Sequence, residues 1–211
     1  MPQPLKLLRF TLVERWVHRT TAVLMGVCLV TAAILYVGAL SRAIGYRAVV
    51  EWVHVIAGLS LPAPFVVGLL AKAFRDDVRR LNRFTPADWE WLRSRDFRAT
   101  RTDVGKFNAG QKLNANFQLG AIFVMMLTGS VMRFANHWPI DWRTGATFAH
   151  DWTAYAILAV VLGHIYMALR DPDALAGMRT GYVPAQWAAS EHGRWAAEHE
   201  IDAPARRGVA R

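Results

Sequence analysis

Four of the seven histidines lie in or beside long apolar runs, where an ionisable side chain implies chemistry. These four are His18, His54, His150 and His164. The neutral imidazole is the commonest metal ligand among side chains, and an ionisable group within a membrane span is by default a functional candidate. The other three fall in predicted loop or tail, and we expect them to be solvated: His137, His192 and His199.

The elements that must position these histidines follow from the apolar runs. Four stretches of 18 to 21 residues contain no Asp, Glu, Lys or Arg: Thr20–Leu40, Val53–Ala71, Leu113–Met132 and Trp152–Leu169. A helix needs about 17–25 residues to cross a bilayer, and lipid admits only helices or closed barrels as spanning structures. We therefore predict an all-α membrane protein with four transmembrane helices in a bundle. The predicted spans cover about residues 16–40, 51–72, 112–134 and 149–170.

Two details of these spans need comment. Pro62 and Pro64 lie inside the second span and should kink it. The first span is interpreted as a mature helix rather than a cleaved signal peptide. The reason is that both the segment before it and its apolar run are longer than such a peptide has.

The composition disfavours a soluble enzyme, and the distribution of charge sets the orientation of the spans. The chain is 54% hydrophobic and 19% charged, yet its formal net charge is +9. Of its 25 Lys and Arg residues, 21 lie before the first span, between the second and third, or after the fourth. The positive-inside rule then places both termini and the loop 73–111 in the cytoplasm. The basic segments suit anionic lipid such as cardiolipin, and no nucleic-acid motif accompanies them.

This topology pairs the histidines by depth. His18 and His164 should lie near the cytoplasmic face, and His54 and His150 near the outer face. The 14 residues from His150 to His164 span roughly 21 Å of helix and return to within about 40° of the same direction, so both imidazoles share one helix face.

Two facing imidazoles on antiparallel helices are the arrangement of axial ligands in a six-coordinate haem suited to electron transfer. Four such histidines predict two haems stacked across the membrane. A proton relay or a transition-metal transporter is the alternative, but such sites usually recruit carboxylates within the membrane. Here Glu51 and Asp151 lie only at the margins of the spans.

The single Cys28 excludes an intrachain disulfide and cysteine-based zinc or iron–sulfur sites.

Two arginines, Arg15 and Arg19, flank His18. They are interpreted either as interfacial residues whose charged ends reach toward water, which is slightly favoured, or as partners of haem propionates.

Several segments in this order resemble the gamma subunit of respiratory formate dehydrogenase, a di-haem cytochrome b. Besides His150 and His164, they are Arg9-Phe10-Thr11, Glu14-Arg15-Trp16-Val17-His18-Arg19, Glu51-Trp52-Val53-His54, Lys106-Phe107-Asn108-Ala109-Gly110-Gln111-Lys112, and Gly181 followed by Trp187-Ala188. The resemblance covers most of the chain. The Asn-Ala-Gly-Gln-Lys block before the third span, combined with four histidines in this order, is its most specific part.

The resemblance implies a role for each matching position. His54 and His150 would hold a haem b near the periplasm, where an iron–sulfur (beta) subunit delivers electrons from a molybdenum or tungsten catalytic (alpha) subunit. His18 and His164 would hold a second haem b near the cytoplasm. A quinone, menaquinone or ubiquinone, would be reduced beside it at Asn108, Gly110 and Gln111, with His164 adjacent. Asn108–Lys112 is also typical of a capped helix start, and both interpretations can hold together.

The resulting hypothesis is a quinone-reducing electron-transfer subunit of formate dehydrogenase, since no residue here forms a site for the formate chemistry. The nearest alternative is the cytochrome b subunit of a nickel–iron hydrogenase or another periplasmic oxidoreductase. A stand-alone di-haem superoxide or quinone oxidoreductase is a second alternative. A haem-free anchor or metal transporter belongs to a different class.

Outside the spans the sequence predicts short helices. Thr85-Pro86-Ala87-Asp88 is typical of a helix N-terminus, so a helix should run to about Ser94. The segment from Pro184 to about Glu200, with Trp187 and Trp195, has a similar pattern. We expect these helices to pack on the bundle or on a partner. The chain is thus divided into a membrane domain, 1–180, and a cytoplasmic tail, 181–211.

Overall fold

The computed structural model of the protein describes residues 5–94 and 103–199, and most of them are helical. The elements, in chain order, are β1 (Lys6–Leu8), α1 (Leu12–Tyr36), α2 (Gly38–Ile44), α3 (Arg47–Ser60), α4 (Pro62–Gly68), α5 (Lys72–Asn82), α6 (Pro86–Arg93), α7 (Ala109–Arg133), a 3₁₀ turn (Ala135–His137), α8 (Ile140–Leu169), α9 (Pro172–Thr180), β2 (Tyr182–Pro184), α10 (Ala185–Glu191) and α11 (Gly193–Ala197).

The chain divides into two compact units. The membrane unit consists of Trp16–Ala71 and Phe117–Ile165. The loop-and-tail unit consists of the described residues within Met1–Arg15, Lys72–Asn116 and Tyr166–Arg211.

Four helical segments are long and apolar enough to cross a membrane, which confirms the predicted all-α bundle of four spans. They are Leu12–Tyr36, Arg47–Gly68, Ala109–Arg133 and Ile140–Leu169. The second is interrupted at Leu61, between α3 and α4, and Pro62 occupies the first position of α4. The predicted disturbance at the prolines is therefore present as a break between the two helices, because Pro62 has no N–H to continue the α3 hydrogen-bond ladder.

The membrane unit closes around one apolar layer to which every span contributes. Met25, Leu61, Ala121 and Ile157 are buried together in it. Ile157 lies seven residues from each of His150 and His164, which places the layer about 10 Å along α8 from either histidine. Outward-facing side chains such as Val23 and Leu162 remain apolar although they are exposed within the chain. An apolar exterior is what a helix surrounded by lipid requires.

The loop-and-tail unit joins the two ends of the chain through a small sheet. Strands β1 and β2 pair antiparallel with Lys6 opposite Pro184. Gly181, just before β2, has φ of 95°, and its carbonyl accepts hydrogen bonds from the backbone N–H groups of Arg9 and Phe10. A Cβ at this position would lie 2.7 Å from the Phe10 carbonyl oxygen. Glycine is therefore required here both by conformation and by space.

The predicted short helices are confirmed. Helix α6 begins with a capping box in which Thr85 and Asp88 bond each other's backbone N–H groups. In the tail, α10 and α11 bury Trp187 and Trp195 in a cluster with Val183. These tryptophans stabilise the unit by apolar burial.

Candidate functional site

The four membrane histidines form two facing pairs within the membrane unit. The ring centroids of His18 on α1 and His164 on α8 are 6.1 Å apart. Those of His54 on α3 and His150 on α8 are 6.3 Å apart. The pairing predicted from depth is the pairing found in the fold. Helix α8 supplies one histidine to each pair, so it takes part in both sites.

The spacing of each pair matches a single metal ion between two imidazoles. A metal–imidazole bond is about 2 Å long, so two ligating rings on opposite sides of one ion have centres roughly 6 Å apart. Two nitrogen ligands are too few for a tetrahedral zinc site, whereas haem iron needs only axial ligands from the protein. Among the described residues, no group of three or more His, Cys, Asp or Glu side chains could hold a metal ion. The donor sets therefore fit haem.

The two pairs differ in their hydrogen bonds. His54 Nδ1 lies 2.9 Å from Thr31 Oγ1 on α1, and His150 Nδ1 lies 2.9 Å from Thr128 Oγ1 on α7. Within residues 5–94 and 103–199, no hydrogen bond involves a ring nitrogen of His18 or His164. The sequence analysis missed both threonines, because a single Thr in an apolar run carries no pattern that distinguishes it.

Gly129 shapes the position of His150 from a second side. A Cβ built at Gly129 would lie 3.3 Å from His150 Cε1, closer than most real Cβ contacts. The backbone of α7 thus approaches the imidazole closely beside the Thr128 hydroxyl. A larger residue at position 129 would push against the ring.

Arg15, one of the two arginines beside His18, bonds to the loop-and-tail unit. Its guanidinium donates to the Arg179 carbonyl oxygen at 2.9 Å. This contact ties α1 to the C-terminal end of α9 within the loop-and-tail unit. The pairing of Arg15 and Arg19 with propionates stays a prediction.

The predicted quinone residues lie at the start of α7, in the loop-and-tail unit. The Asn108 side-chain oxygen accepts from the Gln111 backbone N–H at 2.9 Å, and the Gln111 side-chain oxygen accepts from the Asn108 backbone N–H at 3.0 Å. This reciprocal capping confirms the capped helix start. Both amide oxygens are used, while neither side-chain NH₂ group has a hydrogen-bond partner among the described residues. Gly110 stands against Trp91, which an added Cβ would approach to 3.3 Å.

Two lysines of the same block hold buried ion pairs. Lys106 Nζ donates to Glu14 at 3.1 Å and to Asp77 at 2.5 Å. Lys112 Nζ donates to Asp88 at 2.7 Å and to the Arg83 carbonyl oxygen. Each of these acidic and basic side chains is exposed by less than a tenth. The Lys106 and Lys112 that flank the Asn-Ala-Gly-Gln sequence therefore anchor it to α1, α5 and α6.

Burial, and then the hydrogen bond with the Glu14 carboxyl, raises the pKa of Asp77 from 3.8 to about 8. Folded Asp77 thus keeps a proton that the unfolded chain releases near pH 4. Because of this difference, the free energy of unfolding falls as the pH rises from about 4 to about 8. We expect Asp77→Asn to match the wild type in thermal unfolding midpoint near pH 4 and to exceed it by several °C near pH 8.

The measurement is a series of melts of the detergent-purified protein across this pH range. Asp76→Asn is the matched control, because the neighbouring Asp76 is less buried than Asp77, with 33% of its side chain exposed, and pairs with Lys72 and Arg79. Wild-type and Asp77→Asn curves that stay parallel across the range would contradict the assignment.

His192 corrects one sequence prediction, since it is buried rather than solvated. Its Nδ1 lies 2.7 Å from the Gly105 carbonyl oxygen, and its Nε2 lies 3.1 Å from the Arg9 guanidinium. A carbonyl only accepts and a guanidinium only donates, so the proton is on Nδ1. The ring packs between Trp187 and Trp195. The expectation failed because the tail folds back on the N-terminal segment. His137 and His199 are exposed as predicted.

A helical membrane bundle with two facing histidine pairs defines a class, the membrane-bound b-type cytochromes. The chain belongs to the prokaryotic cytochrome b561 family, which it matches over residues 9–181. The family implies haem b. Together with the four apolar helices it places the chain in the bacterial inner membrane as a multi-pass protein.

Curated relatives confirm the resemblance drawn from the residues. The chain is 34% identical over 101 residues to the cytochrome b556(Fdn) subunit of nitrate-inducible formate dehydrogenase from Escherichia coli, covering 46% of each chain. It is 31% identical over 102 residues to the formate dehydrogenase cytochrome b556 subunit of Haemophilus influenzae, covering 47% of this chain and 43% of that one.

A third relative matches over nearly its whole length. It is the cytochrome b556(fdo) subunit of Escherichia coli formate dehydrogenase, 26% identical over 201 residues, covering 90% of this chain and 91% of that one. The matches to the first two span only about half the length of those relatives.

Proposed function

We propose that this chain is the electron-transfer subunit of a formate dehydrogenase, carrying electrons through two b haems to a quinone. The observation that carries the proposal is the stacking of two histidine pairs, with centroid separations of 6.1 and 6.3 Å, along one face of α8. The names of the curated relatives support formate dehydrogenase over the other periplasmic donors.

Each histidine has a defined part in this proposal. His54 and His150 hold the haem nearer the periplasm, and His18 and His164 hold the haem nearer the cytoplasm. Haem b supplies reversible one-electron chemistry at its iron. The protein sets the ligands, and α8 sets a separation of roughly 21 Å between the pairs. Electrons would enter from an iron–sulfur subunit, which receives them from a molybdenum or tungsten catalytic subunit.

The charge pattern of the sequence supports the direction of transfer. With 21 of the 25 Lys and Arg residues on one side, both termini, the loop and the tail from residue 181 lie in the cytoplasm. Reduction of a quinone to a quinol takes two electrons and two protons. Electrons that move inward to meet protons taken from the cytoplasm separate charge across the membrane without a moving pump. The same basic segments would bind anionic lipid such as cardiolipin.

The capping amides at the start of α7 support the quinone assignment. Asn108 and Gln111 use their side-chain oxygens for the cap and leave NH₂ donors for a carbonyl oxygen. Gly110 between them carries no side chain that would crowd a flat ring. We propose that a quinone carbonyl accepts a hydrogen bond from the Asn108 amide.

Asn108→Ala tests this assignment. We expect the oxidation of reduced haem by a soluble menaquinone or ubiquinone analogue to slow about tenfold, because the loss of one hydrogen bond in a closed site costs about 1.4 kcal/mol. The haem content should stay at two per chain. Asn108→Asp is the matched variant, since it keeps the helix cap but removes the NH₂ donor.

The outcomes separate the two roles of Asn108. Slow oxidation in both variants supports the quinone contact. Normal oxidation in Asn108→Asp would mean that Asn108 acts only as a helix cap.

A second experiment identifies the electron donor: formate and hydrogen are supplied separately to membranes that contain the whole complex. Haem reduction by hydrogen but not by formate would move the chain to the hydrogenase alternative.

A further inference from the structure

The histidines at one end of the membrane unit are each held by a threonine from a neighbouring helix. Thr31 on α1 lies 23 residues before His54, and Thr128 on α7 lies 22 residues before His150. In both contacts the threonine Oγ1 is 2.9 Å from the imidazole Nδ1. The same contact is therefore built twice, once in each half of the chain.

The direction of the threonine hydroxyl protons decides which group is the donor in each Thr–His hydrogen bond. Thr31 Oγ1 donates to the Val27 carbonyl oxygen at 2.7 Å, and Thr128 Oγ1 donates to the Val124 carbonyl oxygen at 2.8 Å. A hydroxyl has one proton, so once that proton is directed to the backbone, the oxygen can only accept from the ring. Each imidazole therefore carries its proton on Nδ1. The neutral ring then has its free electron pair on Nε2.

We propose that Thr31 and Thr128 are positioning residues, which hold His54 and His150 in the Nδ1–H form with Nε2 directed to haem iron. The inference rests on the proposed function, because it concerns ligands of one of the two proposed haems. A partner that accepts from the distal N–H of a ligating histidine fixes the tautomer and ring orientation and raises the basicity of the ligating nitrogen. Neither threonine needs to touch the haem.

The contrast between the two pairs confines the effect to one haem. No hydrogen bond to the rings of His18 or His164 is found in the described part of the chain. More basic axial ligands favour the ferric over the ferrous state. The threonines therefore lower the potential of the haem held by His54 and His150, and their loss raises it.

The test is a redox titration of the detergent-purified, haem-loaded protein, with optical spectra and electron paramagnetic resonance of the low-spin ferric haems. Thr31→Val and Thr128→Val remove the hydroxyl at nearly constant shape, and Thr31→Ser and Thr128→Ser keep it. Thr144→Val is the matched control, because Thr144 also donates to a carbonyl four residues earlier but has no hydrogen bond to a histidine in the described part of the chain. The spectrum of a His54→Ala chain identifies the haem that shifts.

We expect each valine variant to raise the potential of the His54/His150 haem alone and to change its low-spin signal. Loss of such a partner typically weakens metal binding about 10- to 100-fold. A tenfold loss borne by the ferric state alone corresponds to about 59 mV for one electron. The serine variants should restore the wild-type potential. Haem loss from this site in the valine variants, reversed by serine, would equally support positioning.

Three results would overturn the inference. They are an unchanged or lowered potential in both valine variants, an equal shift in Thr144→Val, and a haem loss that serine does not reverse. The last would show that the threonines only pack. These results are distinct from failure of the proposed function. A wild-type chain without haem would remove the function and the inference together, whereas a wild type with two haems leaves the threonines to be judged alone.

Discussion

A His54→Ala chain is expected to bind one b haem where the wild type binds two. The physical reason is that each six-coordinate haem depends on two imidazoles, and His54 faces only His150, at a centroid distance of 6.3 Å. The His18/His164 pair lies at the other end of α8, roughly 21 Å away along its axis, beyond the apolar layer of the bundle. The second haem should therefore remain. His150→Ala should reproduce the result.

The measurement is the haem-to-protein ratio of detergent-purified chains, read with the reduced-minus-oxidised spectrum. His137→Ala is the control, because His137 is an exposed histidine of the same chain with no pairing partner of this kind. If a chain whose helical circular dichroism is unchanged lost both haems, the claim that the two histidine pairs bind haem independently would be contradicted. Retention of both haems by His54→Ala would remove His54 from the ligand set.

Lys112→Met should lower the free energy of unfolding by about 3–5 kcal/mol, the usual effect of removing one partner from a buried ion pair. Lys112 and Asp88 are exposed by 5% and 8% in their side chains. Burial by itself would raise the pKa of Asp88, but the hydrogen bonds from Lys112 and Thr85 lower it below the usual value. Without the ammonium group, the buried carboxylate keeps its hydrogen bonds from Thr85 but loses the cation that balances its charge.

Thermal or denaturant unfolding in detergent measures this effect, with Lys72→Met as the control. Lys72 also pairs with an aspartate, but its side chain is 82% exposed, so its loss should change the stability by no more than about 1 kcal/mol. Adding Asp88→Asn to Lys112→Met should recover much of the loss, because the stranded charge is then gone. Equal melting of the Lys72 and Lys112 variants, or a double variant no more stable than Lys112→Met, would contradict the account.

The spans and the histidine pairs could be predicted because their signals are local and periodic. An uncharged run of about 20 residues has one stable form in lipid, and depth along antiparallel helices follows from residue counting. The helix cap at Asn108 could be predicted for the same reason, because Asn108 and its partner Gln111 are only three residues apart. Residue numbers give depth but not function. The haem and quinone roles of these residues came from the resemblance to the formate dehydrogenase gamma subunit.

What the sequence could not show depends on contacts between distant segments. His192 looked like a tail residue, yet it is buried because it meets Arg9, 183 residues earlier in the chain. Asp77 gave no sign of its raised pKa, since its neighbours Glu14 and Lys106 come from two other segments. Thr31 and Thr128 are single hydroxyls among apolar residues. Their importance depends on which face of α1 and α7 meets a histidine, and packing decides that.

The measurement that tests the central claim most directly is the number of haems bound by the wild-type chain. The protein is expressed with haem supplied, purified in detergent, and its haem-to-protein ratio and reduced-minus-oxidised visible spectrum are recorded. The account predicts two b-type haems per chain, both low-spin, as two facing histidine pairs require. A chain that is folded and contains no haem would contradict the cytochrome assignment, and a chain with one haem would show that one of the two pairs is misassigned.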